Sequence, residues 1–197
     1  MKSPTSKLRG QMRPLSAQQV ATIEMFLAKE DDWRALALFR TAIDTMFRAS
    51  DLVTLTVSDV TGMDREPLEE IIVRQKKTGG AVRAVLSGPT REAIKRWLAV
   101  RPPFWGEWLF TGKIQGKHLS ASQYRRDAKG WFTMARLDTR FYSTHSLRRT
   151  KAALIFSKTG NIEVVRRLLG HANVNATSRY LGVEDADALK IAREIKI

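Results

Sequence analysis

The sequence contains no cysteine, which excludes disulfide bonds and thiolate metal sites within this chain. It also lacks an apolar run long enough to cross a bilayer, and its first residues lack the apolar stretch of a signal peptide. We therefore expect no membrane association and a cytoplasmic location. Of its 197 residues, 43% are hydrophobic, which is enough for one domain with an ordinary core.

Acidic residues are scarce, because 20 Asp and Glu stand against 34 Lys and Arg, for a net charge of +14. A chain this basic most often meets nucleic acid, since neutralising phosphates releases bound counterions. The alternative is that the charge serves solubility alone. Residues 1–13 are basic and contain no acidic residue, so we expect a flexible basic N-terminal arm there and one folded domain over residues 14–197. The arm either contacts DNA or is a plain disordered terminus.

The hydrophobic periodicity and the capping residues predict a mainly α-helical chain with one small antiparallel β-sheet. The sheet is expected between Glu69 and Leu86, where two β-branched segments flank a KTGG turn. The predicted helices run from a Ser16 cap to about Lys29, about Asp32 to Phe47, a Ser50 cap to Leu55, Pro89 to about Val100, a Ser120 cap to about Ala135, His145 to Lys158, Ile162 to Leu169, a short segment from Asn175, and Glu184 to Ile195.

The stretch from His145 to Tyr180 is the most unusual part of the chain, because seven of its side chains are Lys or Arg and only Glu163 is acidic. His145 and Arg148 lie one helical turn apart and so share a face. An imidazole and a guanidinium on one face indicate an anionic partner. By itself, this spacing is more often a surface pair than a site.

The distant segments make the pattern specific. An arginine in FRASDLVTLTVSDV, a lysine at a hairpin tip, HSLRRT, LGH and a tyrosine nine residues later follow one another in that order. The chain, from about Pro14 to Ile197, resembles the tyrosine recombinase (phage integrase) family. The residues that carry the resemblance are Arg48 with Asp51, Lys77, His145, Arg148, His171 and Tyr180. The resemblance implies the tyrosine recombinase/integrase catalytic-domain fold.

The resemblance also implies site-specific cleavage and rejoining of DNA strands, and the residue types suit that chemistry. A phosphodiester under attack gains negative charge on its non-bridging oxygens. Arg48 and Arg148 each offer a planar fork that donates two hydrogen bonds, and His171 can donate one more. Together they would form an oxyanion-type clamp.

Tyr180 is the expected nucleophile, with His145 as the base or the group that orients it. Lys77 is the expected general acid, although the adjacent Lys76 is an alternative because a hairpin register can slip by one residue. Asp51 is expected to anchor Arg48 or the local helix. The family chemistry implies a 3′-phosphotyrosine intermediate and a free 5′ hydroxyl, with no cofactor, metal or ATP.

Double-stranded DNA is the expected partner, bound by a homo-tetramer on two paired sites. The chain starts at the catalytic region, as in the fimbrial phase-variation recombinases, so we expect weak, salt-sensitive DNA binding and a possible accessory DNA-binding protein. The helix from Glu184 to Ile195 either exchanges with a neighbouring subunit or folds back on its own core.

Two other functions remain open from the sequence. A DNA-binding regulator with the same fold would have no need of Tyr180, and a type IB topoisomerase shares the chemistry but fits the spacing less well. A metal-dependent nuclease is disfavoured, because the three histidines lie far apart in the chain without clustered carboxylates. Four further arginines either contact phosphates or form a solvated face: Arg125, Arg126, Arg166 and Arg167.

Overall fold

The structure, a computed structural model, describes residues 11–102, 106–114 and 116–182. Over these ranges the chain is mainly helical with a two-stranded antiparallel sheet, which confirms the predicted fold class. Most of the expected N-terminal arm, and the helix expected from Glu184 to Ile195, lie outside the described residues. The elements are α1 (Ala17–Lys29), α2 (Trp33–Thr45), α3 (Ala49–Leu52), α4 (Val57–Val60), β1 (Glu70–Arg74), β2 (Ala81–Val85), α5 (Gly88–Val100), α6 (Ala121–Met134), α7 (Thr144–Thr159), α8 (Ile162–Leu169) and α9 (Val174–Leu181).

Local capping chemistry fixes several helix ends where the sequence places them. The Ser16 hydroxyl accepts a hydrogen bond from the Gln19 backbone, and the Gln19 side chain accepts one from the Ser16 backbone. This reciprocal pair satisfies two backbone donors at the start of α1. Asn161 caps α8 in a similar way through Val164 N, and Gly170 ends that helix at φ 62°.

Two predicted starts were wrong. α3 begins after Arg48 rather than at a Ser50 cap, and the Ser50 hydroxyl donates to Asp51 instead. α9 begins at Val174, one residue before the predicted start at Asn175, and its cap is Asn173, whose Oδ1 accepts from Ala176 N. In both cases several polar residues compete for the cap, and the tertiary path of the chain selects among them.

The core is built around α2, which packs against α5 and α7. Residues 35–39 of α2 are all buried, as expected for a helix that is covered on most sides. Phe39 meets Trp131 of α6 edge to face, with ring centroids 5.6 Å apart. Burying a side chain of this size contributes about 2 kcal/mol. α2 ends at Met46, whose left-handed φ of 52° turns the chain so that Arg48 follows at the site.

The predicted hairpin is present, with Ile72 paired to Arg83 and Val73 to Val82 in antiparallel register. Gly79 closes the turn at φ 69° and donates its N–H to Gln75 O at 2.8 Å. Alternate side chains of the strands point inward, and the hairpin turn carries Lys76 and Lys77. None of the described helices combines the length and the apolar character that crossing a bilayer needs.

Candidate active site

Arg48 stands at the junction of α2 and α3, where it is the N-cap residue of α3. Its guanidinium has only N–H donors and therefore cannot cap the backbone N–H groups of the helix. Nη1 is buried and has no hydrogen-bond partner among the described residues. A buried guanidinium nitrogen without a partner is costly, which favours an anion beside it.

Arg148, on the first turns of α7, is 4% exposed. Its Nη2 donates to Leu169 O at 2.9 Å and lies 3.5 Å from His171 Nε2. The same carbonyl accepts a hydrogen bond from Gln75 Nε2 at 3.3 Å. Arg148 Nη1, like Arg48 Nη1, is buried without a partner in the described part of the chain. Nη2 of Arg148 therefore binds the protein backbone, while Nη1 can still donate to a ligand.

His171 follows the glycine that ends α8, and contacts fix both its ring and its backbone. Its Nδ1 lies 3.1 Å from Thr177 Oγ1, and its backbone oxygen accepts from Arg166 Nη1 at 2.7 Å. Burial, together with the charges of Arg148, Arg48 and Arg166, lowers the pKa of His171 to about 4. The imidazole is therefore neutral at pH 7 and has one donor and one acceptor nitrogen. Arg148 has only N–H donors, so Nε2 is the acceptor of the contact found here. The Thr177 hydroxyl can pair with either tautomer, and in the other tautomer Nε2 donates to an incoming oxygen.

Tyr180 lies on α9 with its ring packed edge-on against His171, at a centroid distance of 5.4 Å. The guanidinium carbons of Arg149 and Arg148 lie 5.3 and 6.0 Å from the tyrosine ring centroid. The phenol Oη is buried and has no hydrogen-bond partner among the described residues. Burial raises the pKa of Tyr180 to about 12, against the opposing charges of Arg148, Arg149 and Arg48 and a polar interaction of the phenol with the Arg148 guanidinium.

The other two expected site residues are exposed, and of these His145 lies close enough to Arg148 for the charge of that arginine to act on it. His145, on the first turn of α7, is exposed, and partial burial together with the charges of Arg148 and Arg149 lowers its pKa. It is therefore a neutral base at pH 7. Lys77 is exposed on the hairpin turn. The structure thus brings Arg48, Arg148, His171 and Tyr180 together, and it places Lys77 on the hairpin turn.

Of the two roles expected for Asp51, the structure shows the anchoring of its local helix and no hydrogen bond to Arg48 among the described residues. Its Oδ1 accepts from Lys76 N at 3.0 Å. Asp51 is 1% exposed, so this contact ties α3 to the start of the hairpin turn. Both Lys76 and Lys77 are exposed there, and the choice between them as general acid stays a prediction.

The sequence reasoning missed two residues that touch the site. Arg149 was counted only as charge, but it is 8% exposed and lies over the Tyr180 ring. Thr177 is fully buried and fixes the His171 ring. Their places on α7 and α9 carry no local signal, because each depends on how those helices pack. Arg166, left open between a phosphate contact and a solvated residue, pairs with Glu163 at 2.6 Å and holds the His171 backbone.

The charges of the site are unbalanced within the described residues. No ion pair of the described residues involves Arg48, Arg148 or Arg149. Three guanidinium groups stand beside the phenol, and the carboxylate that acts on Arg148 is Asp51, so the group keeps an excess of positive charge that is suited to a phosphate. In the same part of the chain, no group of three or more His, Asp or Glu side chains is arranged to hold a metal ion.

Comparison with known proteins assigns the chain to a family. The phage integrase family matches residues 13–187, a span that includes every residue of the site. The chain belongs to the phage integrase family. It is similar to the tyrosine recombinase XerD of Brucella suis biovar 1 (strain 1330), with 31% identity over 166 residues, covering 82% of this chain and 52% of that protein. It is also similar to the tyrosine recombinase XerC of Caldanaerobacter subterraneus subsp. tengcongensis, with 30% identity over 164 residues, covering 80% of this chain and 43% of that protein.

Solved structures support the same fold. The crystal structure of XerA recombinase matches with a TM-score of 0.76 at 22% identity, covering 93% of this chain and 65% of that one. The XerH site-specific recombinase, solved bound to its difH substrate in a pre-cleavage complex, matches with a TM-score of 0.72 at 19% identity, covering 91% of this chain and 53% of that one. This integrase-family chain spans about half the length of the curated relatives it matches. The family membership and the fold confirm the resemblance read from the sequence.

Proposed function

We propose that this chain carries the catalytic chemistry of a site-specific DNA recombinase. The observation that carries the proposal is that the guanidinium groups of Arg48 and Arg148 and the Tyr180 phenol are buried beside one another, and that none of Arg48 Nη1, Arg148 Nη1 and Tyr180 Oη makes a hydrogen bond of good geometry with the described residues. The charges of both arginines act on the pKa of Tyr180. A phosphodiester placed between them would satisfy the two donors and set the phosphorus beside the phenol.

The proposed step is an in-line displacement at phosphorus. Tyr180 Oη forms a bond to the phosphorus, the bond to the 5′ oxygen breaks, and a 3′-phosphotyrosine remains. The phenol proton passes to a base, and the neutral His145 is the candidate. The departing 5′ oxygen takes a proton from Lys77 and leaves as a hydroxyl. Attack by a 5′ hydroxyl on the phosphotyrosine reverses the sequence and rejoins the strand.

The clamp supplies the largest part of the catalysis in this proposal. In the transition state, the non-bridging oxygens carry more negative charge than in the bound substrate. Donors from Arg48, Arg148 and His171 that are already in place therefore stabilise the transition state more than the substrate. The Tyr180 phenol, whose pKa is raised to about 12, is protonated at pH 7 until a base removes its proton. This keeps the nucleophile unreactive in the absence of DNA.

The competing proposal is a DNA-binding regulator that keeps the fold without turnover. Basic residues alone would serve such a protein. The site favours the enzyme, because a binding protein gains nothing from burying a tyrosine hydroxyl beside two arginines.

The proposed partner is double-stranded DNA, bound by four copies of the chain on two paired sites. The net charge of +14 supports a polyanionic partner, with weak binding that falls steeply with salt. Solved relatives of the fold include XerH bound to difH DNA and a lambda integrase dimer bound to a core site. An accessory DNA-binding protein and a cytoplasmic location belong to the same proposal.

The test is covalent trapping on a suicide DNA substrate that carries a nick near the scissile phosphate, so that the 5′ product is lost. Wild-type protein is expected to attach to the DNA, while Tyr180→Phe is expected to bind the same DNA without attaching. Tyr142→Phe is the matched control, since that hydroxyl accepts from Gln19 Nε2 at 3.3 Å, remote from the clamp. An adduct formed by Tyr180→Phe would falsify the nucleophile assignment, and absence of an adduct in wild type favours the regulator.

A further inference from the structure

A buried carboxylate lies at the meeting point of the elements that carry the site. Asp44, on the last turn of α2, is 8% exposed. Its Oδ1 accepts from Lys151 Nζ at 2.8 Å. Its Oδ2 accepts from Ser87 N at 2.8 Å, from Ser87 Oγ at 2.6 Å and from Thr90 Oγ1 at 2.6 Å. We call these four residues the Asp44 cluster.

The Asp44 cluster holds a charged group that would otherwise be costly to bury. Burial acts to raise the pKa of Asp44, but the hydrogen bonds from Lys151, Ser87 and Thr90 outweigh it and hold the pKa below its ordinary value. Asp44 is therefore ionised at pH 7, with both carboxylate oxygens bonded. A carboxylate that accepts four hydrogen bonds from three different residues has little freedom to move.

Asp44 and Lys151 lie on elements that deliver residues of the site, and Ser87 and Thr90 lie at the start of α5, which directly follows the hairpin. Asp44 precedes Arg48 by four residues, across the turn at Met46. Lys151 follows Arg148 by three residues on α7, so the two side chains lie one turn apart on that helix. Ser87 lies two residues beyond the end of β2, the second strand of the hairpin that carries Lys77.

The packing of α2 against α7 brings polar as well as apolar side chains into the interior. The buried residues of α7 include Ser146, Arg148 and Thr150 beside Leu147 and Ala152. Catalytic groups need to be held within about 0.5 Å of the productive geometry. Hydrogen bonds lose strength steeply with distance and angle, so the Asp44 cluster adds a directional constraint.

We propose that Asp44 is a positioning residue that sets α2, α7 and the hairpin relative to one another, so that Arg48 and Arg148 face one phosphate. The inference rests on the proposed function. Asp44 touches neither DNA nor the reacting atoms in this account, and it acts through the elements it joins.

The test compares Asp44→Asn with wild type in two measurements. The first is the dissociation constant for an intact DNA site, measured in a Tyr180→Phe background. The second is the single-turnover rate of adduct formation on the nicked substrate at saturating protein. Asp44→Asn is expected to slow adduct formation about tenfold, since a misplacement of around 1 Å can cost more than that, while the dissociation constant changes less than threefold.

Two further variants separate positioning from stability. Removing both charges with Asp44→Asn and Lys151→Met should restore much of the stability, because no unpaired ammonium is left, yet the rate should stay low. Thr90→Val removes a single bond from the carboxylate and is expected to fold with a smaller loss of rate. The control Glu24→Gln breaks an ion pair of similar burial with Arg40, one turn earlier on α2, and should keep the wild-type rate.

The outcomes are distinguishable. A rate that recovers with stability in the double variant, or an equal loss in Glu24→Gln, overturns the inference and leaves the proposed function standing. Wild-type rates in both Asp44→Asn and Thr90→Val overturn it as well. If wild-type protein forms no adduct at all, the proposed function fails, and the inference fails with it.

Discussion

Gly170 joins the end of α8 to His171, and replacing it with alanine tests whether the space around this position is filled. Gly170 ends α8 at φ 62°, directly before His171. A Cβ at Gly170 would lie 2.5 Å from Val82 Cγ2 and 2.8 Å from Gln75 Nε2. Gly160 is the matched control, since it ends α7 at φ 61° and a Cβ there would meet nothing within 4 Å.

Alanine at either glycine strains the backbone, but only alanine at Gly170 also overpacks the core. A non-glycine residue in the left-handed region costs about 1–2 kcal/mol, and both substitutions incur that cost. Only Gly170→Ala also forces a methyl group against Val82, which is 4% exposed in the core. Overpacking of this kind costs about 1–3 kcal/mol. We therefore expect a loss of about 1–2 kcal/mol for Gly160→Ala and about 2–5 kcal/mol for Gly170→Ala.

Urea unfolding followed by circular dichroism measures both values. Gly170→Ala should also slow adduct formation under conditions where it remains folded, because Val82 and Gln75 must move and Gln75 bonds the carbonyl that holds Arg148. Gly160→Ala should react at the wild-type rate. Equal losses of stability for the two variants would refute the reasoning, since they would show that the space around Gly170 is not filled.

Three other predictions follow from the same geometry. Arg148→Lys keeps a charge but loses the planar fork, so we expect adduct formation to fall about a hundredfold or more with little change in DNA binding, and a rate close to wild type in a single-turnover assay would contradict this. Thr177→Val removes the partner of His171 Nδ1 and should slow adduct formation about tenfold, whereas Thr177→Ser keeps the hydroxyl and should retain the rate. The pKa of His171 is about 4 in the folded protein and about 6.5 when unfolded, so the unfolded chain binds more protons between these values. Its contribution to stability is therefore full above about pH 6.5 and is lost as the pH falls towards 4. Urea unfolding of His171→Gln across that range should show a free energy of unfolding that depends less steeply on pH than that of wild type. An equal dependence on pH in the two proteins would show that His171 does not titrate this way.

Helix ends set by local chemistry were predictable from the sequence. The Ser16 cap with Gln19 and the pair of Asn161 and Gly170 need only residues a few positions apart, so α1 and α8 begin and end where expected. α4 went unpredicted even though Thr56 and Asp59 form a reciprocal cap that the sequence displays. The Ser50 start was wrong because serine is merely one candidate cap, and the path of the chain placed the cap at Arg48 instead.

The site was predictable in its residue types but not in its supporting contacts. The order of arginine, histidine and tyrosine along the chain identified the group that the structure brings together. Asp44, Arg149 and Thr177 carry no such signal, because their roles come from helices that meet only in the folded chain. The boundary between a basic arm at residues 1–13 and a catalytic domain at residues 14–197 stays a prediction.

Peptide mapping of the trapped DNA adduct by mass spectrometry tests the central claim most directly. The chain contains three tyrosines, of which Tyr124 is buried in the core and Tyr142 pairs with Gln19. We predict that the nucleotide is attached to the peptide containing Tyr180, through a phosphate at the 3′ end of the cleaved strand. Attachment to a different residue, or through a 5′ phosphate, would contradict the account.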